Sequence, residues 1–363
     1  MDPRSTEPVG RVLSPRAFEL ASSRRNTWNR ESSSAESISI ASVNSLSIPK
    51  RTRRSPEVNE DTFVCFSRNA VTLVGVFDGH SSNSLSVWLK THIEEVFTEV
   101  SSTFPTDPDQ YGSLSCDLPK IWELFPSAPA AAERLASLEK LVFPNTLTLC
   151  LALTLAIAEE RAICDPTVDT ATAGACATLV AIDRSAGSVQ AAFLGDSAFA
   201  VYIPGTDSSW KLRYRSSDHR LPHRTDEAAR VLAAGGRIFR NRAIGMEWSS
   251  LAVTRSLGDT LWKAGDFWVR DASVGKSGKK SLDPELVDFS RARGCIGVSS
   301  DPELVCLDDL PNTFTLVVAS DGFWDTANIG SSPLFESTSS LVSVAPPDDV
   351  TLIVLEIQPS QRQ

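Results

Sequence analysis

Three largely apolar segments of strand length along this chain each lead into an aspartate. The segments, with the aspartates that follow them, are residues 71–77 with Asp78, residues 188–194 with Asp196, and residues 314–319 with Asp321. A nearly unbroken apolar run leaves no face for water, which predicts a strand buried on both sides. Buried strands that end in carboxylates predict one shared site for a hard cation, because such ions prefer oxygen ligands.

A further strand is predicted just before the first of these segments. Residues 62–66 and 71–77 flank a short polar turn, as in an antiparallel hairpin. This hairpin would bring Glu60 and Asp61 beside Asp78. The hairpin therefore predicts that two more carboxylates lie near the proposed cation site.

The tripeptide that ends the hairpin carries its own chemistry. After Asp78, Gly79 lets the backbone approach a ligand closely, and His80 supplies a side chain that titrates near neutral pH. Asp-Gly-His alone is equally typical of an ordinary loop. The functional interpretation depends on the recurrence of Asp-Gly at Asp321.

Apolar positions at helical spacing predict three helices. One opens at Asn83, a long apolar helix spans about residues 136–162, and a third spans residues 225–234 before two glycines. His92 lies on the apolar face of the first helix and is interpreted as a packed core residue rather than a ligand.

Composition divides the chain into a tail and a folded part. Residues 1–55 contain thirteen serines, with ten Arg and Lys against five Asp and Glu, and they show little periodicity. We predict a disordered Ser/Arg-rich tail over 1–55 and one domain over 56–358. Insertions are predicted near residues 101–135 and 260–293, which are rich in polar residues.

Charge and cysteine content narrow the classes of function. The net charge of −10 with a basic tail means that the body of the chain is acidic, which argues against a nucleic-acid partner. The seven cysteines are scattered without a Cys-x-x-Cys motif, and the N-terminus lacks an apolar signal segment. The most apolar stretch, 141–157, is interrupted by Pro144 and predicts a core helix rather than a membrane span. We expect an intracellular protein, cytoplasmic or nuclear, and a monomer.

Eight short motifs occur in an order that resembles the metal-dependent serine/threonine protein phosphatases of the PPM (type 2C) family. The motifs are residues 59–61, 76–80, 174–177, 195–197, 218–219 with 234–236, 254–259, 319–325 and 348–351. The resemblance implies an α+β fold, with a central β-sandwich of two antiparallel sheets flanked by helices and a metal site at one end. It also implies phosphoserine and phosphothreonine proteins as substrates.

The resemblance further implies a role for each matching residue. Asp78 would bridge two Mg²⁺ or Mn²⁺ ions and the Gly79 carbonyl would hold the first; Glu60, Asp321 and Asp348 would hold the second, Asp61 would orient a water, and Asp196 and Asp325 would form a weaker third site. His80 would act as the general acid. Oxygen ligands favour Mg²⁺ or Mn²⁺, and the histidines and cysteines show no zinc-binding spacing.

Several positions depart from the family pattern. Pro56 stands where the family usually has an arginine that contacts the substrate phosphate, for which Arg53 or Arg54 could substitute from a shifted loop. Asp321 and Asp348 are only 27 residues apart, too few for the helices usually found there.

These departures leave two functions open. One is an active phosphatase, and the other is a pseudophosphatase that keeps the fold and serves as a binding or scaffold protein. Some of the aspartates also have an ordinary structural interpretation: Asp196 and Asp259 could cap backbone amides, and Asp325 could begin a helix.

Overall fold

The computed structural model describes residues 38–48, 59–104, 118–206, 209–234, 236–244, 250–263, 297–326 and 348–360. Two antiparallel sheets form its centre. The strands of the first sheet are β2 (Asp61–Arg68), β3 (Val71–His80), β4 (Gly174–Asp183), β5 (Ser188–Leu194) and β12 (Glu303–Leu307), in the order β12-β5-β4-β3-β2, and β11 (Leu257–Gly258) pairs with β4. The predicted hairpin is confirmed as β2–β3.

The second sheet packs on the first through strands from both ends of the chain. Its members are β1 (Ile38–Ile48), β6 (Ala198–Pro204), β7 (Trp210–Arg215), β13 (Phe314–Ala319) and β14 (Val350–Pro359), in the order β1-β14-β13-β6-β7. A small third sheet contains β8 (Arg237–Phe239), β9 (Arg242–Ile244) and β10 (Ser250–Leu251).

Helices cover the outer face of the first sheet. The helices of the described residues are α1 (Ser84–Ser101), α2 (Leu118–Leu124), α3 (Ala128–Leu138), α4 (Thr146–Cys164), α5 (Thr225–Ala233), α6 (Thr260–Lys263) and α7 (Asp321–Thr326). In the part of the chain that the structure describes, no helix is long and apolar enough to cross a membrane. His92 on α1 stacks on Trp88 with ring centroids 4.2 Å apart, as expected of a packed residue.

Strand β3 shows why its sequence is almost entirely apolar. Side chains alternate along a strand, so Val74 and Val76 face the second sheet and join the core between the two sheets. Leu73 and Phe77 point the other way and pack beneath helices α1 and α4. Both faces are buried, and the predicted sandwich of two antiparallel sheets flanked by helices is confirmed.

Strand β1 corrects the predicted extent of the disordered tail. It pairs antiparallel with β14 from Ile38 opposite Pro359 to Ile48 opposite Val350. Ile40 packs against the core between the sheets. Aliphatic residues alternate with serine at the two ends of this strand, in Ile38-Ser39-Ile40 and Leu46-Ser47-Ile48, which is typical of a strand, and the high serine content obscures this pattern. Residues 1–37 and 49–58, including Arg53 and Arg54, lie outside the described residues.

Helix α4 also differs from its prediction, because it begins at Thr146 and not near residue 136. Pro144 prevents one continuous helix, and α3 ends separately at Leu138. Asn145 caps α4, with its side chain accepting a hydrogen bond from the backbone N–H of Thr148 at 2.9 Å. The first predicted insertion contains α2 and part of α3, while residues 105–117, 264–296 and 327–347 lie outside the described residues.

Candidate metal centre

The strand ends meet at one end of the sandwich. In the β2–β3 hairpin, Asp61 lies directly opposite Asp78, and on the other side of β3 Asp78 lies opposite Cys176. Asp196 lies in the turn between β5 and β6, where the chain crosses from the first sheet to the second. Asp321 follows β13 and opens α7. Chain crossing and strand pairing therefore gather carboxylates from four separate segments.

Three of these carboxylates form a tight group. Asp78, Asp196 and Asp321 each offer an oxygen, and these oxygens all lie within 4.8 Å of one another. Asp78 Oδ2 also accepts hydrogen bonds from the Ser197 hydroxyl at 3.3 Å and from the backbone N–H of Asp321 at 3.5 Å. Three oxygen donors at this separation suit a divalent cation such as Mg²⁺ or Mn²⁺.

The electrostatics of the group favour bound cations. Burial raises the pKa of Asp78 well above its ordinary value, and the charges of Asp61, Asp321 and Asp196 raise it further. Burial, followed by the charges of Asp196 and Asp348, raises the pKa of Asp321 to about 8. Like charges crowded away from water are relieved only by protons or by cations. The donor set therefore fits a metal ion.

Asp61 lies beside the group and is buried. Burial raises the pKa of Asp61 to about 6, against a hydrogen bond from Ser320 that lowers it. Its Oδ2 has no hydrogen-bond partner among the described residues. An unpaired buried carboxylate oxygen is costly, so Asp61 has an acceptor site available for a ligand or a water.

Glu60 and Asp348 lie around the group, although they are not among its three closely spaced carboxylates. The backbone N–H of Glu60 donates to Asp349 Oδ2 at 2.8 Å, and the Asp349 N–H donates to Asp348 Oδ1 at 2.8 Å. These bonds connect the start of β2 to the segment before β14. Gly79 belongs to the same region, since a Cβ there would lie 2.6 Å from the Glu60 carbonyl oxygen.

His80 forms a dyad with Asp259, whose sequence motif is equally compatible with a backbone cap. His80 Nε2 lies 2.7 Å from Asp259 Oδ2, and the Ser256 hydroxyl donates to the same oxygen at 2.5 Å. Burial lowers the pKa of His80, but the hydrogen bond to Asp259 and its charge outweigh burial, so the pKa is raised overall. Asp259 is fully buried and has a left-handed φ of 48°.

The dyad depends on a glycine in the neighbouring strand. A Cβ at Gly174 would overlap both the Asp259 carboxylate and the His80 ring. Gly174 pairs with His80 on one side and with Gly258 on the other. Within the 254–259 motif, the sequence indicates this contact only through the aspartate that follows a glycine. Aspartate tolerates the left-handed backbone conformation that this position requires.

Asp325 is not one of the three closely spaced carboxylates, and it is paired with an arginine. Arg220 Nη1 and Nη2 donate to the two Asp325 oxygens at 2.7 and 2.9 Å. The same guanidinium donates to Asp218 Oδ2 at 2.9 Å. Asp196, which the resemblance groups with Asp325, lies beside Asp78 and accepts a hydrogen bond from the Cys176 thiol at 3.1 Å.

Comparison with known proteins identifies relatives of this architecture. Residues 131–329 match the family model of protein phosphatase 2C. The human protein named probable protein phosphatase 1N is 31% identical over 163 residues, which are 45% of this chain and 29% of that protein. Its mouse counterpart is 30% identical over 148 residues, or 41% and 28% of the two chains. The match thus spans less than a third of these relatives.

Solved structures share the fold. A sex-determining protein of C. elegans superposes with a TM-score of 0.54 and 19% identity over 89% of this chain and 66% of its own. The serine-threonine phosphatase 2C of Toxoplasma gondii gives a TM-score of 0.54 and 15% identity over 87% of this chain and 95% of its own. Because the family model matches more than half of a chain that folds in this way, the protein belongs to the protein phosphatase 2C family.

Proposed function

We propose that this protein is a Mg²⁺- or Mn²⁺-dependent serine/threonine phosphatase that hydrolyses phosphoserine and phosphothreonine in other proteins by attack of water. The observation that carries the proposal is the convergence of Asp78, Asp196 and Asp321 within 4.8 Å. A protein that bound no cation would have no evident reason to crowd these charges in one place.

The proposed roles follow the positions of the residues. The residues that would hold two ions are Asp78, Glu60, Asp321, Asp348 and the carbonyl of Gly79, with Asp196 beside them. Bound divalent cations would neutralise the phosphate and activate a water as nucleophile. The open Oδ2 of Asp61 is suited to accept a hydrogen bond from that water.

His80 is proposed to supply the proton that the departing serine or threonine oxygen requires. Its Nε2 is engaged by Asp259, which leaves Nδ1 as the nitrogen that can donate. The buried Asp259 carboxylate favours the protonated imidazole, so the acid form persists to higher pH. A positioned general acid of this kind typically contributes about 10²–10⁴-fold to the rate.

A pseudophosphatase is the second candidate, and one observation favours it. Asp325, assigned by the resemblance to a third ion, is occupied by Arg220. Together with Pro56 in the position of a phosphate-binding arginine, this pairing is compatible with a chain that keeps the fold for binding alone.

Hydrolysis of p-nitrophenyl phosphate and of a phosphothreonine peptide separates the two candidates. We expect turnover in millimolar Mn²⁺ or Mg²⁺ and none in EDTA, with Mn²⁺ binding followed in parallel by calorimetry. Binding of Mn²⁺ without turnover would favour the scaffold. If the protein neither binds Mn²⁺ nor hydrolyses either substrate, the assignment of a metal site is wrong.

The stability of the metal-free protein is expected to depend on pH. Because the pKa of Asp321 is raised from 3.8 to about 8, the folded metal-free protein binds a proton that the unfolded chain releases. This contribution to the free energy of unfolding is fully present at low pH and is lost as pH rises through about 8. We therefore expect Tm in EDTA to fall between pH 6 and 8, and less so in Asp321→Asn.

Mn²⁺ should reverse this loss, because it replaces the proton as the compensating charge. At about 100 times its Kd it would add about 2.7 kcal/mol, or roughly 5 °C or more in Tm. At one fixed Mn²⁺ concentration the increment should be larger at pH 8 than at pH 6, because protons compete with the ion for Asp321 at the lower pH. If Mn²⁺ raised Tm equally at the two pH values, the result would contradict the raised pKa of Asp321.

A further inference from the structure

The guanidinium of Arg220 connects two segments next to the carboxylate group. It forms a two-pronged ion pair with Asp325 of α7, at 2.7 and 2.9 Å. It also contacts Asp218 Oδ2 through Nε at 3.1 Å and Nη2 at 2.9 Å, and its backbone N–H donates to Asp218 Oδ1 at 3.2 Å. The backbone of Arg220 is further held by a bridge to Val253. A two-pronged contact between a guanidinium and a carboxylate fixes the orientation of both groups.

This contact acts on the helix that carries a proposed metal ligand. Asp321 and Asp325 are four residues apart in α7, so they lie on the same face, one turn from each other. The other side of the helix is held by Trp324, whose Nε1–H donates to the Ala319 and Ala198 carbonyls at 2.9 and 3.1 Å. Arg220 thus holds α7 on the side of the helix that carries Asp321 and Asp325.

The positive charge of Arg220 also reaches the carboxylate group. It lowers the pKa of Asp196 and of Asp321, in opposition to burial, which raises both. Arg220 is 21% exposed in its side chain, so its charge is only partly screened by water. The side of the pocket nearest Asp325 therefore already holds a cation that belongs to the chain, shared between Asp218 and Asp325.

We propose that Arg220 takes the place of a third metal ion at Asp325, so that the pocket accepts two divalent cations, and that it positions Asp321 by pinning α7. This inference rests on the proposed metal-dependent function and concerns the chain's own residues. Arg220 is a positioning residue, since four of the five N–H donors of its guanidinium bond to Asp218 and Asp325. The resemblance assigns Asp325 to a metal ion, but in this structure the carboxylate of Asp325 is occupied by Arg220.

Counting bound ions tests the proposal without relying on activity. In equilibrium dialysis and calorimetry with Mn²⁺, the natural protein should bind about two ions per chain, and Arg220→Gln should bind about one more, weaker ion. Asp325→Asn combined with Arg220→Gln should remove the additional ion. Arg220→Lys keeps the positive charge but loses the two-pronged contact with Asp325. This variant should bind about two ions per chain, and it can be tested even if Arg220→Gln does not fold.

Arg161→Gln is the matched control. Arg161 lies in α4 and forms its own ion pair with Glu99 at 2.6 Å, and Glu99 is not one of the closely spaced carboxylates of the described residues. Its loss should leave the ion count unchanged. Three ions in the natural protein, or an unchanged count in Arg220→Gln, would overturn the inference while leaving the phosphatase proposal intact. No Mn²⁺ bound by the natural protein would instead defeat the proposed function.

Discussion

Replacing Asp78 by asparagine is expected to lower kcat by about 10³-fold or more, because metal-ion stabilisation is worth several kcal/mol and each 1.36 kcal/mol is tenfold. Asp78 is the carboxylate whose charge meets those of Asp61, Asp196 and Asp321 at once. Asparagine keeps its size and removes its charge. The expected result is a loss of Mn²⁺ binding in calorimetry together with a loss of phosphothreonine-peptide hydrolysis.

The same substitution should not destabilise the metal-free protein. A buried aspartate with a raised pKa opposes folding once it is ionised, so Asp78→Asn should unfold at an equal or higher temperature than the natural protein in EDTA at pH 8. This separates loss of function from loss of fold. A variant that loses activity and also melts early would point to a structural role for Asp78 instead.

Asp183→Asn provides the matched control. Asp183 also ends a strand of the first sheet, but it pairs with Val71 at the other end of β3. There it accepts hydrogen bonds from the backbone N–H groups of Ser185 and Ala186 in a turn. Its replacement should leave hydrolysis and Mn²⁺ binding unchanged.

Replacing His80 by glutamine should affect substrates according to their leaving groups. A serine or threonine alkoxide needs a proton to depart, so we expect turnover of phosphopeptides to fall by about 10²–10⁴-fold. p-Nitrophenolate leaves readily as an anion, so hydrolysis of p-nitrophenyl phosphate should fall far less. Equal losses on both substrates would mean that His80 does not act as an acid.

Asp259→Asn should reproduce part of this effect through His80. Without the Asp259 charge, burial dominates and the pKa of His80 falls. The alkaline limb of the kcat profile for phosphopeptides should therefore move to lower pH. His92→Gln, which changes a histidine bonded to the Trp88 carbonyl at 2.9 Å, should move neither the rate nor the profile.

The sequence reveals those features of the site that depend on local pattern. Asp78, Asp196 and Asp321 were predictable as a group because each follows an apolar segment whose burial fixes where the carboxylate emerges. The hairpin likewise placed Asp61 beside Asp78, because a short turn sets the pairing register.

Contacts between distant segments were not predictable in this way. His80 and Asp259 are 179 residues apart, and Arg220 and Asp325 are 105 apart, so no periodicity links them. Both contacts depend on how the two sheets stack and on which loops then meet. That Asp325 is paired with Arg220 rather than open to a metal ion could be recognised only from the structure.

Strand β1 has a practical consequence for any shortened form of the protein. Starting the chain at residue 56 would remove the strand that covers β14, a ten-residue strand with a largely buried, apolar sequence. The backbone N–H and C=O groups of β14 that now bond to β1 would then form an open edge able to recruit another copy. A boundary chosen from serine content alone would thus invite self-association next to Asp348, whereas a start before Ile38 would retain the natural edge of the sheet.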